Sequence, residues 1–384
     1  MAKKKVAIVV NSRANYARIK SVLMEVDVHP KLKLELVLGA SSLISRHGNL
    51  EKIIQEDGLK ASARVHTIVE GDMPSAMATS TGLAVIELAS LFENMQPDVV
   101  LTVADRFETL ATALAASYMN IAVAHTQGGE LTGSIDESVR HAVTKLSHYH
   151  FPATEKSAER LLRMGENPET VFLTGCPSLD LVNNVSDWNV NALADSLPGV
   201  GGSINFDRPY LLVLQHPVTT DWQNAEQQIS STIGAVSDLG IQTIWLWPNV
   251  DAGSDTFSRE LRRARESGKL KNVRFVKNLP AEDYLVLLKN AHCVLGNSSS
   301  AIREGSFLAC PAVNIGTRQQ NRERFQNVVD VGYDSREIVE AVGRIASLRS
   351  ELKSSSLYGD GLAGKRIAEH LAAPTPHYQK EFFD

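Results

Sequence analysis

Six short segments place polar side chains directly after apolar, β-rich runs, and their residue types suit the handling of a charged ligand. Gly296-Asn297-Ser298-Ser299-Ser300-Ala301-Ile302-Arg303-Glu304-Gly305 follows the run Cys293–Leu295 and opens a predicted helix. Serine hydroxyls there, beside unpaired backbone N–H groups at the positive end of a helix dipole, suit a diphosphate. Glu304, one turn further on, is placed to accept hydrogen bonds from ribose hydroxyls. A serine N-cap that meets no ligand accounts for the same pattern. Ala104-Asp105-Arg106-Phe107-Glu108 closes the run Val99–Val103; Asp105 has the chemistry of an acid or base, and Arg106 that of a phosphate partner. The plain alternative is a capping aspartate paired locally with arginine.

His125-Thr126-Gln127-Gly128-Gly129-Glu130 is again a run followed by a tight turn, whose glycines allow close backbone approach and aim Glu130 inward. Asp136 and Arg140 follow at i, i+4 on a predicted helix, a spacing that equally gives a surface pair. Leu214-Gln215-His216-Pro217 sets His216 at a strand end, suited to phosphate binding, to proton transfer or to a structural role. Asn249 and Asp251 lie in the polar turn Pro248–Asp255. Ser12-Arg13-Ala14-Asn15-Tyr16 brings Arg13, with Ala14 beside it, over the same strand ends. Of His141, His148 and His150, only the first two can share a helical face, and no metal site is expected. Together the segments put polar groups after six different runs, which packing by itself does not require.

An alternation of short strands and helices must position them. Predicted strands are Val6–Val10, Leu34–Leu38, Val65–Val69, Val99–Val103 and Ile121–His125, separated by helical patterns at Ala17–Val26, Leu83–Phe92 and Glu108–Ser117. Further helical spacing follows at Val139–Leu146 and Ala158–Met164. Asn183–Arg208, rich in Gly, Asn, Asp and Ser, reads as a linker. The alternation restarts with strands at Tyr210–Gln215, Thr243–Leu246, Val273–Val276, Cys293–Leu295 and Ala312–Ile315. Between them come helices near Gln228–Leu239, Thr256–Ser267, Ala281–Asn290 and Ala301–Phe307, and a last helical pattern spans Arg366–Ala372. Continuous apolar strands alternating with helices mark doubly wound parallel sheets, which bind ligands at the carboxyl ends of their strands. Two such units in tandem predict a cleft between facing domains, and neither opens with the GxGxxG of a dinucleotide fold.

The composition narrows the class. At 384 residues, two domains are the natural expectation. Hydrophobic residues make up 43% and charged residues 22%, ordinary for a globular chain, and a net charge of −5 gives no footprint for nucleic acid. No apolar run reaches the roughly 20 residues of a membrane span. Cys176, Cys293 and Cys310 are scattered and suggest neither a disulfide framework nor a zinc cage, so a cytoplasmic protein is expected.

Read together, the segments resemble the hydrolysing UDP-N-acetylglucosamine 2-epimerases, a family that includes bacterial sialic-acid pathway enzymes. The resemblance rests on Ser-Arg-Ala-Asn-Tyr at 12–16, Ala-Asp-Arg-Phe-Glu at 104–108 and the stretch Gly128–Ala142. Gly-Glu-Asn-Pro at 165–168, Gln-His-Pro-Val at 215–218, Pro-Asn-Val-Asp-Ala-Gly-Ser at 248–254, Gly-Asn-Ser-Ser-Ser at 296–300 and Asn-Ile-Gly-Thr-Arg-Gln at 314–319 extend it over nearly the whole chain. The resemblance implies an α/β, GT-B-like fold of two facing Rossmann-type domains with doubly wound parallel sheets. It divides the chain into residues 1–185, 205–365 and a tail at 366–384 that crosses back to the first domain. It further implies a UDP-sugar substrate, UDP as product, no cofactor, and a homodimer or homotetramer without nucleic-acid or membrane partners.

In this comparison Asp105, Glu130 and Asp136 match acid/base positions, and His216 and Arg13 match positions near the diphosphate. Ser299, Ser300 and Glu304 match positions gripping phosphate and ribose, and Asn249 and Asp251 match the sugar-and-phosphate-side turn. Residues 275–279 would meet the base through backbone. Asn15 stands where the family usually has Asp, and Ser42 where it often has histidine; a 2,4-diacetamido-2,4,6-trideoxy sugar on UDP or GDP is therefore an alternative substrate. A GT-B glycosyltransferase and a non-catalytic nucleotide-sugar sensor are the rival readings. The first needs an acceptor site, and the second has no need of the carboxylates.

Overall fold

The computed structural model describes residues 2–44, 50–71, 73–103, 105–185, 187–248, 252–374 and 379–384. In the first half, strands β1 (Lys4–Val10), β2 (Leu32–Gly39), β3 (Ala63–Val65), β4 (Val99–Thr102), β5 (Ala122–Thr126) and β6 (Tyr149–Phe151) form one parallel sheet in the order β3-β2-β1-β4-β5-β6. Helices α1 (Arg13–Val28), α2 (Leu50–Glu56), α3 (Pro74–Met95), α4 (Phe107–Tyr118), α5 (Ile135–Leu146) and α6 (Glu155–Arg163) alternate with the strands. β1 and β4 are almost wholly buried, which is why they read as unbroken apolar runs. α1 starts where Ser12 Oγ accepts the Asn15 N–H at 3.2 Å, a cap of the kind that contributes about 1 kcal/mol.

The second half holds β7 (Val200–Gly201), β8 (Leu211–Leu214), β9 (Thr243–Leu246), β10 (Val273–Val276), β11 (Cys293–Gly296), β12 (Ala312–Ile315) and β13 (Val328–Val331), ordered β13-β12-β11-β8-β9-β10-β7. β7 is antiparallel to β10, and the other pairings are parallel. Helices α7 (Ala225–Leu239), α8 (Ser254–Glu266), α9 (Ala281–Asn290), α10 (Arg303–Phe307) and α11 (Ser335–Ser347) cover this sheet. The last helix, α12 (Ala363–Leu371), returns to the first half, where Ile367, Ala368 and Leu371 join the core formed by Val22, Leu23 and Val26 of α1. Two arrays of parallel strands, wound both ways and covered by helices on both faces, make the fold GT-B-like.

Several elements differ from their sequence reading. Residues 200–201, within the predicted linker, add an edge strand to the second sheet because Val200 and Gly201 pair with Phe275 and Arg274. β6, α2, β13 and α11 were not foreseen; β13 is only half-buried, so its apolar run is short. β3 sits earlier than predicted, at Ala63–Val65. The helix predicted at Leu83–Phe92 is the 22-residue α3, which has the length and apolarity of a membrane span, contrary to the expectation that no segment does. Its buried residues Ser80, Ala84, Leu88 and Phe92 recur at every fourth position, and Leu88 and Phe92 join the core. That spacing is the stripe of a helix laid on a sheet.

Candidate active site

The chain reverses its direction of winding between β1 and β4 in the first sheet and between β8 and β11 in the second. Crevices for ligands open at the carboxyl ends of such strands. A cavity of about 990 Å³, counted to its open mouth, lies between the two sets of ends. Arg13, Ala14, Tyr16 and Arg18 line it from the first half; His216, Tyr284, Ser298, Ser299, Ser300, Glu304 and Arg318 line it from the second.

Backbone geometry in the second half builds one wall. Gly296, at φ +126°, lies so close to the end of β8 that a Cβ there would stand 2.1 Å from the Leu214 carbonyl oxygen. That approach lets Asn297 clamp His216: Asn297 Oδ1 accepts the His216 N–H at 2.9 Å, and Asn297 Nδ2 donates to the His216 carbonyl at 2.7 Å. The serines open a 3-10 turn, Ser299–Ala301, and only then does the five-residue α10 begin. The helix expected at Ala301–Phe307 thus starts two residues later, at Arg303, and the serines precede its first turn. Hydroxyls and guanidinium groups line the wall in front of it. Tyr284 Oη and Ser300 Oγ are 2.7 Å apart, and Arg18 Nη2 donates to Ser299 Oγ at 2.8 Å.

Behind that wall lies a buried charge cluster. Asp105 pairs with Arg140 and lies 3.8 Å from Arg18 and 4.0 Å from Arg322. Glu130 pairs with Arg303 at 2.5 Å and with Arg322. Four guanidinium groups face Asp105, Glu130 and, at longer range, Glu304, which leaves this network net positive and suits an anionic ligand. Burial by itself pushes the Asp105 carboxyl up, but Arg140, Arg18 and Arg322 hold it well below the usual carboxylate range. Glu130 behaves likewise: burial opposes ionisation, and Arg303, Arg322 and Arg140 more than offset it. Both acids are thus ionised at neutral pH. His216 goes the other way, because burial and the positive fields of Arg318, Arg13, Arg106 and Arg18 hold its imidazole neutral.

Of the residues singled out from sequence, Arg13, Ala14, His216, Ser299, Ser300 and Glu304 meet at the crevice. Asp105 and Glu130 sit behind it, Asp105 within reach of the crevice through Arg18. Arg106 is held by Glu108, its Nε 3.2 Å from Oε2. Asp136, at the start of α5, lies 3.8 Å from Arg318 Nη2 of the other half. Asn249 and Asp251 lie outside the described residues. The surface pair allowed for Asp136 and Arg140 does not form: Arg140 is 1% exposed and turns inward to Asp105 and the Glu130 carbonyl. Sequence reasoning missed Arg18, Arg303, Arg318 and Arg322 as site residues. Arg303 and Arg318 stood inside motifs already noted, but Arg18 and Arg322 carry no local signal.

The profile of the UDP-N-acetylglucosamine 2-epimerase family matches residues 24–372. The chain belongs to this family. It is 33% identical over 376 residues to a UDP-N,N'-diacetylbacillosamine 2-epimerase (hydrolyzing) of Legionella pneumophila, covering 98% of this chain and 97% of the relative. To a UDP-N-acetylglucosamine 2-epimerase of Neisseria meningitidis it is 28% identical, covering 99% of each. Among solved structures it matches a UDP-GlcNAc 2-epimerase of Methanocaldococcus jannaschii in complex with UDP-GlcNAc and UDP, with a TM-score of 0.78 and 21% identity over 96% of this chain and 99% of that one. The family is one of enzymes acting on nucleotide sugars.

Asn15 and Ser42, the two positions expected from sequence to depart from the family pattern, both make local hydrogen bonds. Asn15 is buried, and its Oδ1 accepts the Asn11 N–H at 3.2 Å, a bond an aspartate could also accept. Ser42 donates its hydroxyl to the Gly39 carbonyl at 2.6 Å. That turns it back on its own loop.

Proposed function

We propose that this member of the 2-epimerase family hydrolyses a UDP-linked 2-acetamido sugar with inversion at C2. The observation that carries the reading is Arg18, which touches Ser299 in the phosphate wall and stands 3.8 Å from Asp105 in the acid cluster. A pyrophosphate gripped at Ser299 thus has its sugar facing the carboxylates. In the first step a carboxylate takes the C2 proton, the C2–H pair becomes a C1=C2 double bond, and the C1–O pair leaves with UDP. In the second, water adds at C1 and a proton returns to C2 from the opposite face, giving the free manno-configured sugar. Asp105, Glu130 and Asp136 supply the proton transfers. Arg13 and His216 serve the diphosphate with Ser299, Ser300 and Glu304, while Arg106, Asn249 and Asp251 complete the nucleotide-sugar site.

A second donor is favoured by a specific observation: the match to the diacetylbacillosamine enzyme, 33% identical, exceeds that to the meningococcal UDP-N-acetylglucosamine enzyme, 28% identical. UDP-N,N'-diacetylbacillosamine is accordingly the donor we expect to turn over best. The test is a panel of UDP- and GDP-sugars in deuterated water, read by nucleotide release and by NMR of the product. Deuterium at C2 of a free sugar is expected. A C2-protonated product would remove the elimination step, and ligand binding without turnover on any donor would favour a sensor.

A further inference from the structure

We propose that Lys20, Asp57 and Glu282 form a latch that holds the two halves closed over the nucleotide, with Glu282 a positioning residue for nucleotide retention. Lys20, on α1, places its ammonium 2.7 Å from Asp57 Oδ1 and 2.7 Å from Glu282 Oε1. Asp57, just beyond α2, belongs to the first half and also accepts the Tyr16 hydroxyl at 2.5 Å. Glu282 belongs to the second half, in the first turn of α9. Tyr16 and Ala281, the neighbours of this trio, both line the crevice, so the ion pair sits at its lip.

The arrangement is reversible by construction. Lys20 is 7% exposed, and losing every partner there is costly. If the halves part, Lys20 keeps Asp57, Asp57 keeps Tyr16, and of the bonds within this trio the one to Glu282 is lost. The Glu282 side chain is already 29% exposed and hydrates readily. Within this trio opening strands no buried charge, whereas closing adds one partly shielded ion pair across the gap, beside the buried pairs of Glu130 with Arg303 and Arg322. The chain provides a pivot where it crosses between the halves: the Cys176 N–H donates to the Tyr358 carbonyl at 2.7 Å beside Gly175 and Gly359, at φ +90° and +123°. Hinges of this kind place the φ/ψ change in a few residues.

This inference rests on the proposed function only for its probe, UDP. Small-angle scattering of the full chain without ligand should show E282Q more expanded than the parent, with UDP restoring the parent's dimensions. UDP should leave E282Q about fivefold faster in stopped flow, a coupling typical of one partly buried charge pair. KM for the sugar donor should rise by a similar factor with kcat kept, and E282D should recover most of the loss. K20M should match E282Q, and the double variant should be no worse than K20M. Should K20M fail to fold, the parent's scattering at rising ionic strength replaces it, with expansion expected. E282Q with parental scattering and parental UDP dissociation would overturn the latch, as would a parent that stays closed at high salt. Absence of turnover on every donor would count against the proposed function and leave the scattering result standing.

Discussion

Arg303 Nη2 stands 2.5 Å from Glu130 Oε2, joining residues 173 positions apart and belonging to different halves of the chain. Arg322 reaches the same oxygen. Glu130 is therefore both a reacting acid in the proposed chemistry and the anchor of two buried cations. Replacing it by Gln should suppress turnover at least 100-fold while leaving UDP binding nearly intact. It should also cost about 3 kcal/mol of stability, since two guanidinium groups lose their carboxylate. Donor turnover, UDP calorimetry and denaturant unfolding measure the three effects separately. Full activity in E130Q would remove Glu130 from the mechanism.

UDP binding should be linked to proton uptake at His216. Burial and Arg318, Arg13, Arg106 and Arg18 hold the unliganded imidazole neutral, well below 6.5. A bound diphosphate opposes those positive fields, so the folded value rises on binding. Affinity for UDP should then increase as pH falls through the bound-state value, with protons taken up between that value and the lower one of the free protein. Calorimetry in buffers of different ionisation heat reads the uptake, and H216N separates it from titration of the UDP phosphate. Equal uptake in H216N and parent would refute the assignment.

A second charge cluster should make stability depend on acid pH. Glu166 is fully buried at its side chain, with His150 Nε2 at 2.9 Å, Lys145 Nζ at 2.7 Å and Lys380 also bonded. Burial pushes its carboxyl up, but the bonds from His150, Lys145 and Lys380 prevail and bring it down to about 2 from 4.5. A depressed carboxylate stabilises above its unfolded value and loses that contribution as pH falls through the folded one. The difference between parent and E166Q should be about 3 kcal/mol at neutral pH, steady above about pH 5, and should shrink from about pH 4.5 down to about pH 2. Urea unfolding across that range checks it; a gap that does not shrink in acid would contradict the charge argument.

Gly133 should tolerate no side chain. Its N–H donates to the Arg318 carbonyl at 3.1 Å, and a Cβ there would lie 1.9 Å from the Thr317 carbonyl oxygen. G133A must push residues 317–318, and with them the crevice residue Arg318, away from the first half. Turnover should drop at least tenfold and UDP bind more weakly, with circular dichroism unchanged. Parental affinity and rate in G133A would mean that the loop gives way at no cost.

The sequence by itself carried much of what is written in local pattern, although the amphipathic α11 and the short α2 and β6 passed unread. Buried parallel strands are continuous apolar runs, so β9, β10 and β12 could be bounded residue by residue, and polar turns after β1, β8 and β11 marked Arg13, His216, Ser299 and Ser300 as neighbours of one crevice. β13 escaped because a half-buried strand presents too short an apolar run. The charge cluster escaped for a different reason. Arg18 and Arg322 look like any surface arginines, and Arg140 sits at the spacing of an exposed pair with Asp136. Only the docking of the two halves buries them, and burial decides which charges must find partners. Tertiary structure thus chose Arg140 for Asp105, gave Glu130 to Arg303 and Arg322, and kept His216 neutral, because desolvation and the field of distant groups are absent from any short stretch of chain.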